Sequence, residues 1–162
     1  MIIEYLRPNT IEAALALIAR AEPRTYPMGG GTVLNRPNME RFAVADLQAL
    51  RLNQMERSGN ILQVGATTTL QRLAENGEIQ GALREAIQRE STYHLRQAAS
   101  IAGTIVAADG RSRVAGCLLA MDATLEVESK EVGKEQVRVG DLMASRVGLS
   151  QGKLITVVNI PL

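Results

Sequence analysis

Two glycine-bearing segments constrain this chain more than anything else in it. The first is Pro27-Met28-Gly29-Gly30-Gly31-Thr32-Val33-Leu34, and the second is Ser100-Ile101-Ala102-Gly103-Thr104-Ile105. Each follows or ends an apolar stretch, so each reads as a turn beside a strand or helix end. Glycines in such a run cost roughly 0.5–1 kcal/mol each relative to alanine in regular structure, so something normally requires their dihedrals or their lack of a side chain. A strand-to-helix turn directs bare backbone N–H groups at one spot, and a pyrophosphate is the ligand that best suits a pair of such turns. A tight turn with no ligand is the other reading of the triplet taken alone. The spacing matches neither GxGxxG nor the P-loop pattern, so the common nucleotide motifs are absent.

At 162 residues the chain is one domain or two small subdomains, long enough to bury a sizeable core. Hydrophobic residues make up 46% and charged residues 22%, the balance of an ordinary soluble globule. The 18 Lys and Arg are dispersed among 17 Asp and Glu, with no basic block, which argues against a nucleic-acid partner. A single cysteine, Cys117, excludes an internal disulfide and a multi-cysteine metal site within these residues. The opening Met1-Ile2-Ile3-Glu4-Tyr5-Leu6-Arg7-Pro8 has neither a basic start nor a long apolar run, so no signal peptide or membrane span is expected and the cytoplasm is the default location.

Along the chain, Ile2 to Leu6 reads as a strand stopped by Pro8. Asn9 or Thr10 caps a helix whose apolar positions Ile11, Ala14, Leu15 and Ile18 recur at helical spacing. Thr25 to Met28 is a second strand that enters the glycine turn, Thr32 to Arg36 a brief helical turn before Pro37, and Phe42 to Leu47 a third strand. This order predicts a small parallel unit. Beyond the Ser58-Gly59-Asn60 turn, Ile61 to Val64 is a strand, and Gly65 to Thr69 leads into a helix through Leu70, Leu73 and Ala74. Ile79 to Glu90 and Val114 to Met121 read as helices, Ala123 to Glu128 and Gln136 to Val139 as a hairpin, and Leu154 to Ile160 as a last strand. The fold class is therefore α+β: a small βαβ unit over residues 1–56 carrying the first glycine turn, and a larger mixed or antiparallel sheet with helices over 57–162 carrying the second.

Side-chain chemistry is sparse. His94 is the only histidine and has no second ligand or nucleophile partner at a useful spacing, so a structural role is expected. Cys117 lies in an apolar run where an inert thiol is the default. Arg111 and Arg113, just past the second glycine segment, are expected to be solvated or paired with a carboxylate rather than with phosphate. Asp46, Asp109, Asp122 and Asp141 show no spacing that pairs two of them on one helix face. Any chemistry must come from a bound cofactor.

Three motifs in order carry a resemblance: Tyr26-Pro27-Met28-Gly29-Gly30-Gly31-Thr32-Val33-Leu34, then Val64-Gly65-Ala66-Thr67-Thr68-Thr69-Leu70, then Leu95-Arg96-Gln97-Ala98-Ala99-Ser100-Ile101-Ala102-Gly103-Thr104. Together with the first and last strands, they resemble the FAD-binding medium subunit of molybdenum hydroxylases, the xanthine dehydrogenase and carbon monoxide dehydrogenase type. The resemblance implies a two-subdomain FAD-binding fold with the dinucleotide in the cleft between subdomains. It places Pro27 and Met28 and the backbone of Gly29, Gly30, Gly31, Thr32, Val33 and Leu34 at the pyrophosphate. Ser100, Ile101, Ala102, Gly103 and Thr104 would approach FAD from the other side, with Ala66 and Thr67 nearby and Ile155 as an apolar contact. It further implies an oxidoreductase subunit that acts within a complex, relaying electrons between an iron–sulfur subunit and an outside acceptor, beside a molybdopterin-binding large subunit. The family pattern usually reads Gly-Gly-Asn at Ala102-Gly103-Thr104 and Asp at Arg113, and it continues past Leu162 into a further domain; a separately encoded chain that supplies this domain is a third reading. A cofactor-free binding or assembly module of the same fold is the alternative.

Overall fold

The computed structural model describes residues 1–35, 40–144 and 152–162. A three-stranded sheet comes first, built from β1 (Ile2–Leu6), α1 (Ile11–Ala19), β2 (Thr25–Met28) and β3 (Phe42–Asp46). Its order is β1-β3-β2, and both pairings are parallel. The Thr10 hydroxyl caps α1 by accepting from the Ala13 N–H, and Ala14, Leu15 and Ile18 form its buried stripe. The strand expected over Phe42 to Leu47 ends one residue early. The Asp46 side chain accepts from the Gln48 N–H and starts a 3-10 turn over Leu47–Leu50.

The second sheet has five strands, all paired antiparallel, in the order β4-β5-β8-β6-β7. They are β4 (Met55–Ser58), β5 (Ile61–Gly65), β6 (Thr124–Ser129), β7 (Gly133–Arg138) and β8 (Lys153–Pro161). Five helices lie between β5 and β6 in the chain: α2 (Leu70–Ala74), α3 (Gly81–Glu90), α4 (Tyr93–Ala98), α5 (Ile101–Ala107) and α6 (Arg113–Ala120). A last one, α7 (Val139–Ala144), follows β7. The larger core gathers Leu62, Leu73, Leu83, Ile87, Ile101, Leu118, Leu125 and Ile160 between sheet and helices. A smaller one joins Ala14, Leu15 and Ile18 of α1 to Ala45, Leu47 and Leu154. Leu154 belongs to β8, so the last strand of the second sheet contributes to the core of the first.

Four elements have no counterpart in the sequence reading: β4, α4, α5 and α7. β4 pairs with β5 and occupies both sides of the boundary expected between 56 and 57. Its sequence, Met-Glu-Arg-Ser, has no apolar alternation, and α4 buries none of its residues, so neither carries the periodic signal that reveals amphipathic structure. The second glycine segment is not a turn but the first part of α5. Ser100 is its N-cap, accepting from the Gly103 N–H at 3.2 Å. Of the helical turn expected over Thr32 to Arg36, Thr32 to Asn35 form a turn closed by the Asn35 N–H on the Gly31 carbonyl at 3.0 Å, while Arg36 and Pro37 lie outside the described residues.

Candidate functional site

β2 delivers the chain to Gly29, where the loop from Gly29 to Leu34 begins. Gly31 adopts φ +68, a left-handed conformation that side-chain-bearing residues seldom take. The two glycines before it are required by packing. A Cβ on Gly30 would stand 1.6 Å from the Ala98 carbonyl oxygen, and one on Gly29 would stand 2.5 Å from Ser100 Oγ. The two glycine segments are thus brought into direct contact, with α4 and α5 meeting against the loop.

Beside this contact lies a cleft of about 400 Å³. One wall is the strand and loop from Arg24 to Leu34. The opposite wall combines Ala66 and Thr67 after β5, Ser100, Ala102 and Gly103 of the α5 start, and Lys153 to Ile155 of β8. Of the residues expected at the site, Pro27, Met28, Gly29, Gly30, Gly31, Thr32, Val33, Leu34, Ala66, Thr67, Ser100, Ala102, Gly103 and Ile155 all line it. Two do not. Ile101 is fully buried in the main core, and Thr104 turns its hydroxyl to the Ser100 carbonyl at 2.9 Å.

The two walls differ in what their backbones can offer. Among the described residues, no acceptor in the chain takes the N–H groups of Gly30, Gly31, Thr32, Val33 or Leu34. The opposite wall is already satisfied. Ala66 donates to Thr156 O, Thr67 to Leu52 O, Ile101 to Thr68 O, Ala102 to Ala66 O, Gly103 to Ser100 Oγ and Thr104 to Ser100 O. The expected second set of bare amides is therefore absent, because a capped helix start and the turn after β5 take them up.

Among the described residues, no carboxylate lines the cleft, whereas two basic side chains do, Arg24 and Lys153. The Arg24 guanidinium lies 5.0 Å from the centroid of the Tyr26 ring. Lys153 Nζ pairs with Glu135 at 2.7 Å. Arg24, Tyr26, Val106, Ala107 and Lys153 were not in the expected set. Val106 and Ala107 follow Gly103 at helical spacing on α5, and Lys153 shares a strand face with Ile155, so reading α5 as a helix and β8 by alternation would have found them.

The remaining reactive side chains lie elsewhere. Arg111 pairs with Asp109 at 2.7 Å, and Arg113 donates to the Arg89 carbonyl; neither lines the cleft. His94 is exposed against the edge of Tyr93. Burial pushes the half-buried Cys117 thiol above its usual pKa, which keeps it protonated and unreactive. Among the described residues, no three His, Cys, Asp or Glu side chains converge on a possible metal position. Likewise, no described helix is long and apolar enough to cross a membrane.

A cleft whose described residues offer unpartnered loop amides, basic side chains and no carboxylate is an arrangement for a phosphate-bearing cofactor. The chain belongs to the family of FAD-binding domains of molybdopterin dehydrogenases, whose profile, the FAD binding domain in molybdopterin dehydrogenase, matches residues 1–162. It is 33% identical over 127 residues to the uncharacterized protein YgfM of Escherichia coli strain K12, a match covering 77% of this chain and 49% of that protein. The chain thus spans about half the length of the curated relatives it matches. Its fold is that of a chain of the reconstituted CO dehydrogenase from Oligotropha carboxidovorans, with a TM-score of 0.84 at 21% identity over 98% of this chain and 59% of that one. It also matches a chain of quinoline 2-oxidoreductase from Pseudomonas putida 86, with a TM-score of 0.83 at 20% identity over 98% of this chain and 58% of that one. The cofactor of the family is FAD, and the cleft suits it. A pyrophosphate needs N–H donors and no opposing carboxylate, and the loop from Gly30 to Leu34 meets both needs.

Proposed function

We propose that FAD lies along this cleft with its pyrophosphate on the backbone N–H groups of Gly30 to Leu34. The observation that carries this reading is the asymmetry of the two walls. Among the described residues the loop amides lack partners, while those of Ala66, Thr67 and Ile101 to Thr104 are satisfied. Arg24 adds positive charge, Lys153 reaches the cleft while paired with Glu135, and among the described residues no carboxylate lines the cleft to repel a phosphate. Ser100, Ala102 and Gly103 contribute close, small surface rather than donors, and Ile155 and Val106 give the cleft apolar faces that exclude water. Bound FAD supplies the redox chemistry, and the protein's part is to position it. In this reading the chain is the flavoprotein part of a molybdenum-hydroxylase-type oxidoreductase. It passes electrons between an iron–sulfur partner and an external acceptor, in a complex with a molybdopterin-binding large subunit.

Titrating the purified chain with FAD, followed by flavin fluorescence and visible circular dichroism, tests the binding step. Saturable one-to-one binding with a perturbed flavin spectrum is expected. No binding at high FAD would overturn it and favour a cofactor-free assembly module. Co-purification with candidate iron–sulfur and molybdopterin-binding subunits tests the relay, and a chain that stays monomeric beside them would count against it.

A further inference from the structure

Gly29 is held by a second residue besides its contact with Ser100. Gln48 Nε2 donates to the Gly29 carbonyl at 3.1 Å, although 19 residues separate the two. Gln48 is the second residue of the 3-10 turn, and that turn is anchored deeply. Its cap, Asp46, has a side chain only 1% exposed; it accepts from the Gln48 N–H at 3.0 Å, pairs with Arg7 at 2.6 Å and receives the Tyr5 hydroxyl. On the other side, the backbone of Ala98 and Ala99 is pinned. The Ala99 N–H donates to Leu95 O, and its carbonyl accepts from the Leu70 N–H at 2.9 Å. The loop with the unpartnered amides therefore meets a hydrogen-bonded backbone, that of Ala98 and Ala99, and one exposed side chain, that of Gln48.

We infer that Gln48 is a positioning residue for the cofactor cradle: its amide fixes the Gly29 carbonyl, and so the orientation of the Gly30 N–H in the same peptide plane toward the pyrophosphate. This rests on the FAD reading above. The Gly29 carbonyl and the Gly30 N–H belong to one rigid peptide plane, so anchoring the first sets the direction of the second, which the free dihedrals of two adjoining glycines would otherwise leave open. Gln48 itself is exposed and does not line the cleft, so it acts on the ligand only through the loop.

The test measures FAD affinity of the wild type, Gln48→Met and Gln48→Glu at several pH values, with thermal midpoints of the FAD-free proteins. Methionine keeps the length but loses the donor. Dissociation constants should rise about 3- to 10-fold, the effect of one neutral hydrogen bond, with midpoints unchanged because the site is exposed. At pH 7 Gln48→Glu faces the Gly29 carbonyl with a second acceptor and should bind at least as weakly as Gln48→Met. Toward about pH 4, within the ordinary glutamate range, its protonated carboxyl donates again, and affinity relative to wild type at the same pH should recover. Asp46, which contacts Gln48, is held below its ordinary pKa, despite its burial, by hydrogen bonds from Tyr5, Gln48 and Arg7, and the same acid titration of the wild type carries its contribution. Wild-type affinity in Gln48→Met, or no acid recovery in Gln48→Glu, overturns the assignment. A wild type that binds no FAD overturns the underlying reading instead.

Discussion

Replacing Gly30 by alanine separates two reasons a glycine can be required, room for a ligand and room for the chain itself. The added Cβ would lie 1.6 Å from the Ala98 carbonyl oxygen, 2.5 Å from its carbon and 3.3 Å from the Ala99 nitrogen. All three are backbone atoms, so no rotamer change relieves the clash. Ala98 closes α4, and the Ala99 carbonyl is bonded to the Leu70 N–H at the start of α2, so that side does not yield either. The glycine loop must retreat. Overpacking typically costs 1–3 kcal/mol, and a rigid backbone contact belongs at the top of that range, about 3 kcal/mol. For a chain of this size that converts to a drop of about 6–12 °C in Tm. Differential scanning calorimetry of the FAD-free protein measures it, and FAD affinity should fall in the same variant. An FAD-free Gly30→Ala protein with an unchanged Tm would refute the packing argument; loss of FAD affinity alone would then assign the glycine to the ligand.

Asp46→Asn removes the Arg7 pair and weakens the cap of the 3-10 turn, costing about 1–3 kcal/mol at neutral pH. Burial alone would raise the pKa of this carboxyl, but hydrogen bonds from Tyr5, Gln48 and Arg7 together hold it below its ordinary 3.8. The stabilisation is therefore present above the unfolded pKa and lost as pH falls through the lower folded value. The stability gap between wild type and Asp46→Asn in urea titrations should close only in that acid range. Leu154→Ala, at a side chain 2% exposed that ties β8 to α1, should cost about 2–4 kcal/mol and weaken FAD binding, because its neighbours Lys153 and Ile155 line the cleft. Gly116→Ala lies inside α6 with nothing within 4 Å of the new Cβ, and should raise stability by about 0.5–1 kcal/mol. A destabilised Gly116→Ala would contradict the open space on that face.

Much of the fold was legible because most of its elements have one buried face. β1, β2 and α1 fall where apolar alternation, the Thr10 cap and the 3.6-residue stripe of Ala14, Leu15 and Ile18 place them. β4 and α4 lack such a face, and α5 was obscured by a glycine and β-branched residues at its start, so the second glycine segment read as a turn.

Sequence alone determined the α+β class, the parallel βαβ start, the first glycine loop and, through the ordered motifs, the FAD-binding family. Tertiary structure decided which backbone groups are free to act. An amide's availability depends on what packs against it, and no local pattern records that. Ala102 meets Ala66, Ala66 meets Thr156 and Thr67 meets Leu52 only in the folded chain, so one wall of the cleft is satisfied while the other is not. The same holds for Gly30, whose need for a bare Cα comes from Ala98, far along the chain and adjacent only once the two sheets are assembled.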